Sequence, residues 1–145
     1  MFKRILVPVD GSPLSTKAAR AAIGLAAETG ARLVAFHAAP TFRTFAFEAP
    51  MLADTARSYR AACIVRARKL LGDVAADARL AGVDCDEVYV SSDHPYLAIL
   101  RTAKRKHCDL VLMASHGRRG LRGLLLGSET QKVLAHGTVP VLVYR

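Results

Sequence analysis

At 145 residues, 52% hydrophobic and 23% charged, the chain has the length and balance of one globular domain that builds its core without staples. No apolar run reaches the roughly 18 residues of a membrane span, and Met1-Phe2-Lys3-Arg4 leads directly into a strand-like run, so no anchor or signal peptide is expected and the expected location is the cytoplasm. The formal charge of +9 favours anionic partners, while Cys63, Cys85 and Cys108 lack any C-x-x-C or zinc-like spacing and read as small apolar fillers.

Ile5 to Asp10 is a β-branched apolar run that stops at Asp10-Gly11-Ser12-Pro13, a buried strand followed by a turn and a helix start. Ser12 is placed to cap that helix with Pro13 at its first position. Alanines and Ile23 then recur at helical spacing up to Gly30, the expected terminator. Arg32 to Ala39 reads as the second strand, and Pro40 to Pro50, with two prolines and three phenylalanines, as an irregular excursion. A long alanine-rich helix follows from about Leu52 to Ala81, closed by Gly82. Asp86 to Ser91 is a partly polar third strand, expected at an edge because only one face alternates apolar. A helix beginning at Asp93-His94-Pro95 runs to about His107, strand four covers Asp109 to Ala114, the last helix runs from Ser128 to about Ala135, and Pro140 to Tyr144 forms strand five.

Strand and helix alternate throughout, which predicts a three-layer, doubly wound α/β fold: a five-stranded parallel sheet with helices on both faces. Ligands of such sheets bind outside the carboxyl ends of the strands, where the winding reverses. Right-handed crossovers leave a few strand orders, and periodicity alone does not choose among them. With strands one and four as neighbours at the reversal, Asp10 and the loop from Gly117 to Ser128 would emerge side by side.

That loop is the richest stretch of the chain. Met113-Ala114-Ser115-His116-Gly117-Arg118-Arg119-Gly120-Leu121-Arg122-Gly123 is followed by Leu124-Leu125-Leu126-Gly127-Ser128, so four glycines and three arginines join a buried strand to a helix start. Ser128 with Gln131 fits a capping box, and Glu129 adds negative charge to the first turn. Glycine lets backbone approach a ligand, and a helix start presents N–H groups, so the segment is a candidate phosphate cradle; a surface connection needing glycine only for turns is the plain alternative. Asp10 likewise either binds a ligand or bonds its own turn. His37 and His116 have no nucleophile placed beside them by a recognised motif and read as packing and loop-shaping residues. The block Arg101 to Lys106 suits a solvated helix end, and without interleaved aromatics nucleic-acid stacking has little support.

Ile-Leu-Val-Pro-Val-Asp-Gly-Ser at 5–12, Ser-His-Gly-Arg-Arg-Gly at 115–120, Leu-Leu-Leu-Gly-Ser at 124–128 and Pro-Val-Leu-Val at 140–143 together resemble the universal stress protein family over essentially the whole chain, read as a single domain 1–145. The resemblance implies the strand order 3-2-1-4-5, a homodimer, here expected through Val139 to Tyr144, and in one subgroup ATP binding. The nucleotide-binding pattern G-x2-G-x9-G-[S/T] falls on Ala114, Gly117, Gly127 and Ser128, with alanine replacing the first glycine. By resemblance, the backbone of Gly117, Gly127, Ser128, Glu129 and Thr130 would hold phosphates and Asp10 would accept from the ribose. Pro8, Val9, Ala38 and Met113 would flank adenine, with Arg118, Arg119 and Arg122 as further phosphate contacts. The implied cofactor is ATP, or AMP or ADP, with Mg²⁺ held mainly by the phosphates. No Walker lysine follows a P-loop here, so binding is expected rather than efficient turnover. Two other readings stand beside it: a dimeric interaction protein that has lost nucleotide binding through Ala114, and an enzyme of nucleotide α-phosphate chemistry, for which fold analogy is the only warrant.

Overall fold

The computed structural model describes residues 1–43, 53–117 and 126–145; of Ala53 and Asp54 it describes the backbone only. Five strands, β1 (Arg4–Pro8), β2 (Arg32–Ala39), β3 (Cys85–Ser91), β4 (Leu110–Ala114) and β5 (Val141–Tyr144), form one sheet of order β3-β2-β1-β4-β5. Every pairing is parallel, with Ile5 opposite Leu33 on one side and Leu110 on the other. The described helices are α1 (Pro13–Thr29), α2 (Ala53–Leu80), α3 (Pro95–Arg105) and α4 (Ser128–His136). The order supplied by the family resemblance is the one adopted, and β3 lies at an edge as its polar face requires.

Local chemistry explains the boundaries. Ser12 caps α1, its hydroxyl oxygen accepting the Ser15 N–H at 3.2 Å, and Pro13 occupies a position where the missing N–H costs nothing. Gly30 ends the helix at φ 69°, a left-handed conformation that glycine enters without a Cβ penalty. α1 buries Ala18, Ala19, Ala22 and Ala26 against the sheet; with no side chain longer than a methyl at these positions, the helix can pack close to the strands. Expected bounds shift slightly: the first strand ends at Pro8 and α3 at Arg105, after which His107 turns at φ 53°.

Side chains alternate between two cores. Ile5, Val7, Leu33, Ala35, Leu112 and Ala114 pack with α1 and α2; Leu6, Val34, Phe36, Val111 and Met113 pack with α3 and α4. The cysteines are all free. Partial burial pushes the Cys108 thiol up to about 11 and raises Cys85 as well, so both stay protonated at neutral pH, in keeping with a filling role.

At the opposite end of the sheet, Asp109 ties β4 to the start of β1. Its two carboxylate oxygens accept the N–H groups of Lys3 (2.8 Å) and Arg4 (2.9 Å). Desolvation pushes this carboxyl up, but those two N–H groups outweigh it and hold it below the ordinary 3.8. A depressed carboxyl stabilises the fold above its unfolded value and stops doing so as pH falls through the folded value. Urea midpoints should therefore drop below about pH 3.8 in the parent protein, and Asp109→Asn should flatten part of that drop.

Candidate functional site

The winding reverses between β1 and β4, and the loops leaving those two strands meet there. Asp10 sits just beyond β1, its Oδ1 accepting the Ser12 N–H at 2.9 Å while its own N–H donates to Ser15 Oγ at 3.3 Å. Asp10 thus holds its own turn and is half-buried. From the other strand comes Gly117: a Cβ built there would fall on Asp10 Oδ2, so only glycine lets this backbone close on the carboxylate.

The far end of the same loop returns to its beginning. Gly127 N–H donates to the Ser115 carbonyl at 2.6 Å, and a Cβ on Gly127 would come within 3.1 Å of His116 Cα. Two of the motif glycines are therefore needed by the protein's own close approaches. Beyond them the first turn of α4 is tied to the end of β4, the Thr130 hydroxyl donating to the Ala114 carbonyl at 3.0 Å.

The capping expectation is corrected here. The cap residue is Gly127, at φ −67° and ψ 155°, and among the described residues no side chain caps the helix. Ser128 is already helical, and Gln131 Nε2 donates to the Leu126 carbonyl at 2.8 Å instead of completing a capping box. The return contact to Ser115 holds Gly127 extended, which moves the boundary one residue back. First-turn N–H groups of a helix have no intrahelical acceptor, so an uncapped start keeps its donors for something else.

Ala114 also resolves. It lies in β4 opposite Tyr144, is not among the positive-φ residues, and places its methyl in the core shared with α1 and α2. Nothing at that position requires glycine. Val9, Met113 and Ala114 are buried, and Pro8 and Ala38 are half-buried. Val9 faces the α1–α2 core, Met113 and Ala38 the α3–α4 core. Arg118, Arg119 and Arg122 lie outside the described residues.

His37 is structural, as expected: it is buried, its ring stacks on Tyr89 (6.4 Å, 17°), and Nδ1 must carry the proton it donates to the Val9 carbonyl at 2.7 Å. His116 is exposed and shares a 3.1 Å hydrogen bond with Ser115 Oγ.

Two residues escaped the sequence reading. Arg66 of α2 reaches over the Asp10-Gly11 turn, its Nη2 3.3 Å from where a Gly11 Cβ would stand; only tertiary packing of α2 on α1 could reveal it. Glu129 does more than place charge at α4, since its Oε2 accepts the Tyr96 N–H at 2.8 Å and thereby caps α3, whose own cap residue His94 offers no side-chain bond. Its Oε1 accepts from Lys132 Nζ at 3.1 Å. Glu129→Ala should cost about 1 kcal/mol in urea unfolding.

Among the described residues no cluster of His, Cys, Asp or Glu could hold a metal, and no helix is long and apolar enough to cross a membrane. The sheet order, with helices on both faces and a reversal between β1 and β4, makes this an open doubly wound α/β protein. The model of the universal stress protein family matches residues 1–145, and the chain belongs to that family.

Its relatives include a universal stress protein of Thermus aquaticus encoded 3′ of a QAH/OAS sulfhydrylase gene, 33% identical with all of both chains covered, and YxiE of Bacillus subtilis, 32% identical over the full length of both. Among solved structures, hypothetical protein MJ0577 superposes with a TM-score of 0.85 at 22% identity, covering 99% of this chain and 96% of that one. A universal stress protein in complex with cAMP superposes at 0.71 and 24% identity, covering 99% and 97%. One from Archaeoglobus fulgidus in complex with dAMP gives 0.71 at 18%, covering 99% and 98%.

Proposed function

We propose that this protein is a cytoplasmic stress-response module that binds an adenine nucleotide, ATP or else AMP or ADP, in the crevice between β1 and β4. The observation that carries the reading is the meeting of Asp10 with Gly117 beside the uncapped start of α4. Asp10 offers an acceptor for ribose hydroxyls, and the first-turn N–H groups of Ser128, Glu129 and Thr130 offer donors for phosphate at the positive end of the helix dipole. Solved relatives in complex with cAMP and dAMP support adenine as the base. Mg²⁺ would travel with the phosphates, since no carboxylate cluster among the described residues waits for it. Ala114 is no obstacle, its methyl being spent in the core.

Binding, not turnover, is the proposed output: occupancy changes what the protein contacts. Calorimetric titration with ATP and AMP, each with Mg²⁺, tests this directly. Saturable heat supports it; no heat and no thermal shift at millimolar nucleotide discards it.

A second reading is favoured by β5, which among the described residues pairs only with β4 and leaves Leu142 41% exposed. An open strand edge invites another chain, so a symmetric dimer through Val139 to Tyr144 would serve a nucleotide-independent interaction protein. Silence in the titration together with a dimeric mass by light scattering would select it.

A further inference from the structure

A hollow of about 280 Å³ lies on the sheet face covered by α2, where the chain leaves β2 and β3, at the same end of the parallel sheet as the crevice. Phe42, Tyr59 and Tyr89 supply aromatic walls, and the Cys63 thiol lies between α2 and Tyr89. Phe42 and Tyr59 lean on one another at 5.8 Å and 52°, and Tyr89 is backed by the buried His37 ring. The Tyr59 hydroxyl donates to the Pro40 carbonyl at 3.0 Å; desolvation and the Cys63 thiol push this phenol up to about 12, so it stays neutral.

Arg43 and Arg60 line the same hollow, and among the described residues neither is in an ion pair. No described lining residue is acidic; Asp93 stands at the rim, where its carboxylate accepts the Thr41 N–H (2.8 Å) and hydroxyl (2.6 Å). Flat rings accept a ring by stacking or edge contact, and two forked cations recognise a carboxylate. A hollow of this size suits a single-ring molecule. Its lining shares no residue with the proposed nucleotide crevice, and Tyr89 packs on the α1–α2 side of the sheet.

We propose that this hollow is a second ligand site, taking a small ring-bearing carboxylate with its ring against Tyr59 and Tyr89 and its charge on Arg43 and Arg60. Calorimetric titration with 4-hydroxybenzoate and phenylacetate tests it, using the matching uncharged amides as controls. Saturable binding is expected at millimolar concentration or below, about tenfold weaker for the amides and about tenfold weaker again in an Arg43→Gln, Arg60→Gln double variant, whose exposed positions leave the fold intact. Cys63→Phe should fill the hollow and abolish binding. Addition of ATP should not displace the carboxylate. The proposal is overturned by absence of saturation with either carboxylate, by equal binding of acids and amides, by an unchanged affinity in the double variant, or by competition with ATP, which would place the ligand in the crevice instead.

Discussion

Gly117→Ala is expected to leave the protein folded and to remove most of its nucleotide affinity. The added methyl would occupy the space of Asp10 Oδ2. Because the obstacle is the tip of a rotatable side chain rather than backbone, the fold yields at about 1 kcal/mol, the low end of overpacking. What yields is the site: a displaced carboxylate loses its bond to the Ser12 N–H and no longer faces the crevice. A hydrogen bond to a charged group is worth about 1.5–3 kcal/mol, so affinity should fall about tenfold to a hundredfold. Unfolding by urea and titration with ATP–Mg²⁺ separate the two effects. Combining Gly117→Ala with Asp10→Ala should cost less stability than the sum of the two single variants without restoring binding, a non-additivity confined to residues in contact. Full affinity in Gly117→Ala would show that the Asp10–Gly117 contact has no part in binding.

The largest loss of stability is expected from Phe36→Ala, at about 3–5 kcal/mol. Phe36 heads the fully buried side chains and sits in β2 within the core formed with Leu6, Val34, Val88, Ile99, Met113 and Val133. β2 is held on both sides, by β1 and β3, so the backbone has little freedom to collapse into the void. Its carbonyl also accepts the Val9 N–H at 2.8 Å, so loosening here reaches the strand end that leads to Asp10. Typical domains hold only about 5–15 kcal/mol in all, so the variant should unfold at far lower urea. Phe36→Leu should cost much less by retaining most of the volume. A loss under about 1 kcal/mol for the alanine variant would mean that this face is not close-packed.

Features decided within three or four residues were readable from the chain. Ser12, Pro13 and Gly30 bound α1 through bonds to their own neighbourhood, and the apolar runs of β1, β2 and β4 are buried as their composition demands. The order of strands came from likeness to a family, since periodicity carries no information on which strand lies beside which. Where reading failed, a distant contact had displaced a local rule. Ser128 has the right chemistry for a cap, but the bond from Gly127 to Ser115 starts the helix one residue early. Glu129 belongs to the first turn of α4, yet its carboxylate is spent on α3. Arg66 is some fifty residues from Gly11 in the chain and touches it only because α2 lies across α1. Ala114 looked like a lost ligand contact; its methyl belongs to the core.

The 2.6 Å bond between Gly127 and Ser115 gives the molecule an unusual freedom. A segment whose two ends are already fastened together behaves as a graft: its length can change at an entropic cost that rises only with the logarithm of the number of residues, while the strand and helix on either side keep their places. Peptides of other lengths and charges spliced between Gly117 and Leu126 should therefore be tolerated, offering a route by which one scaffold acquires new ligands without rebuilding its frame.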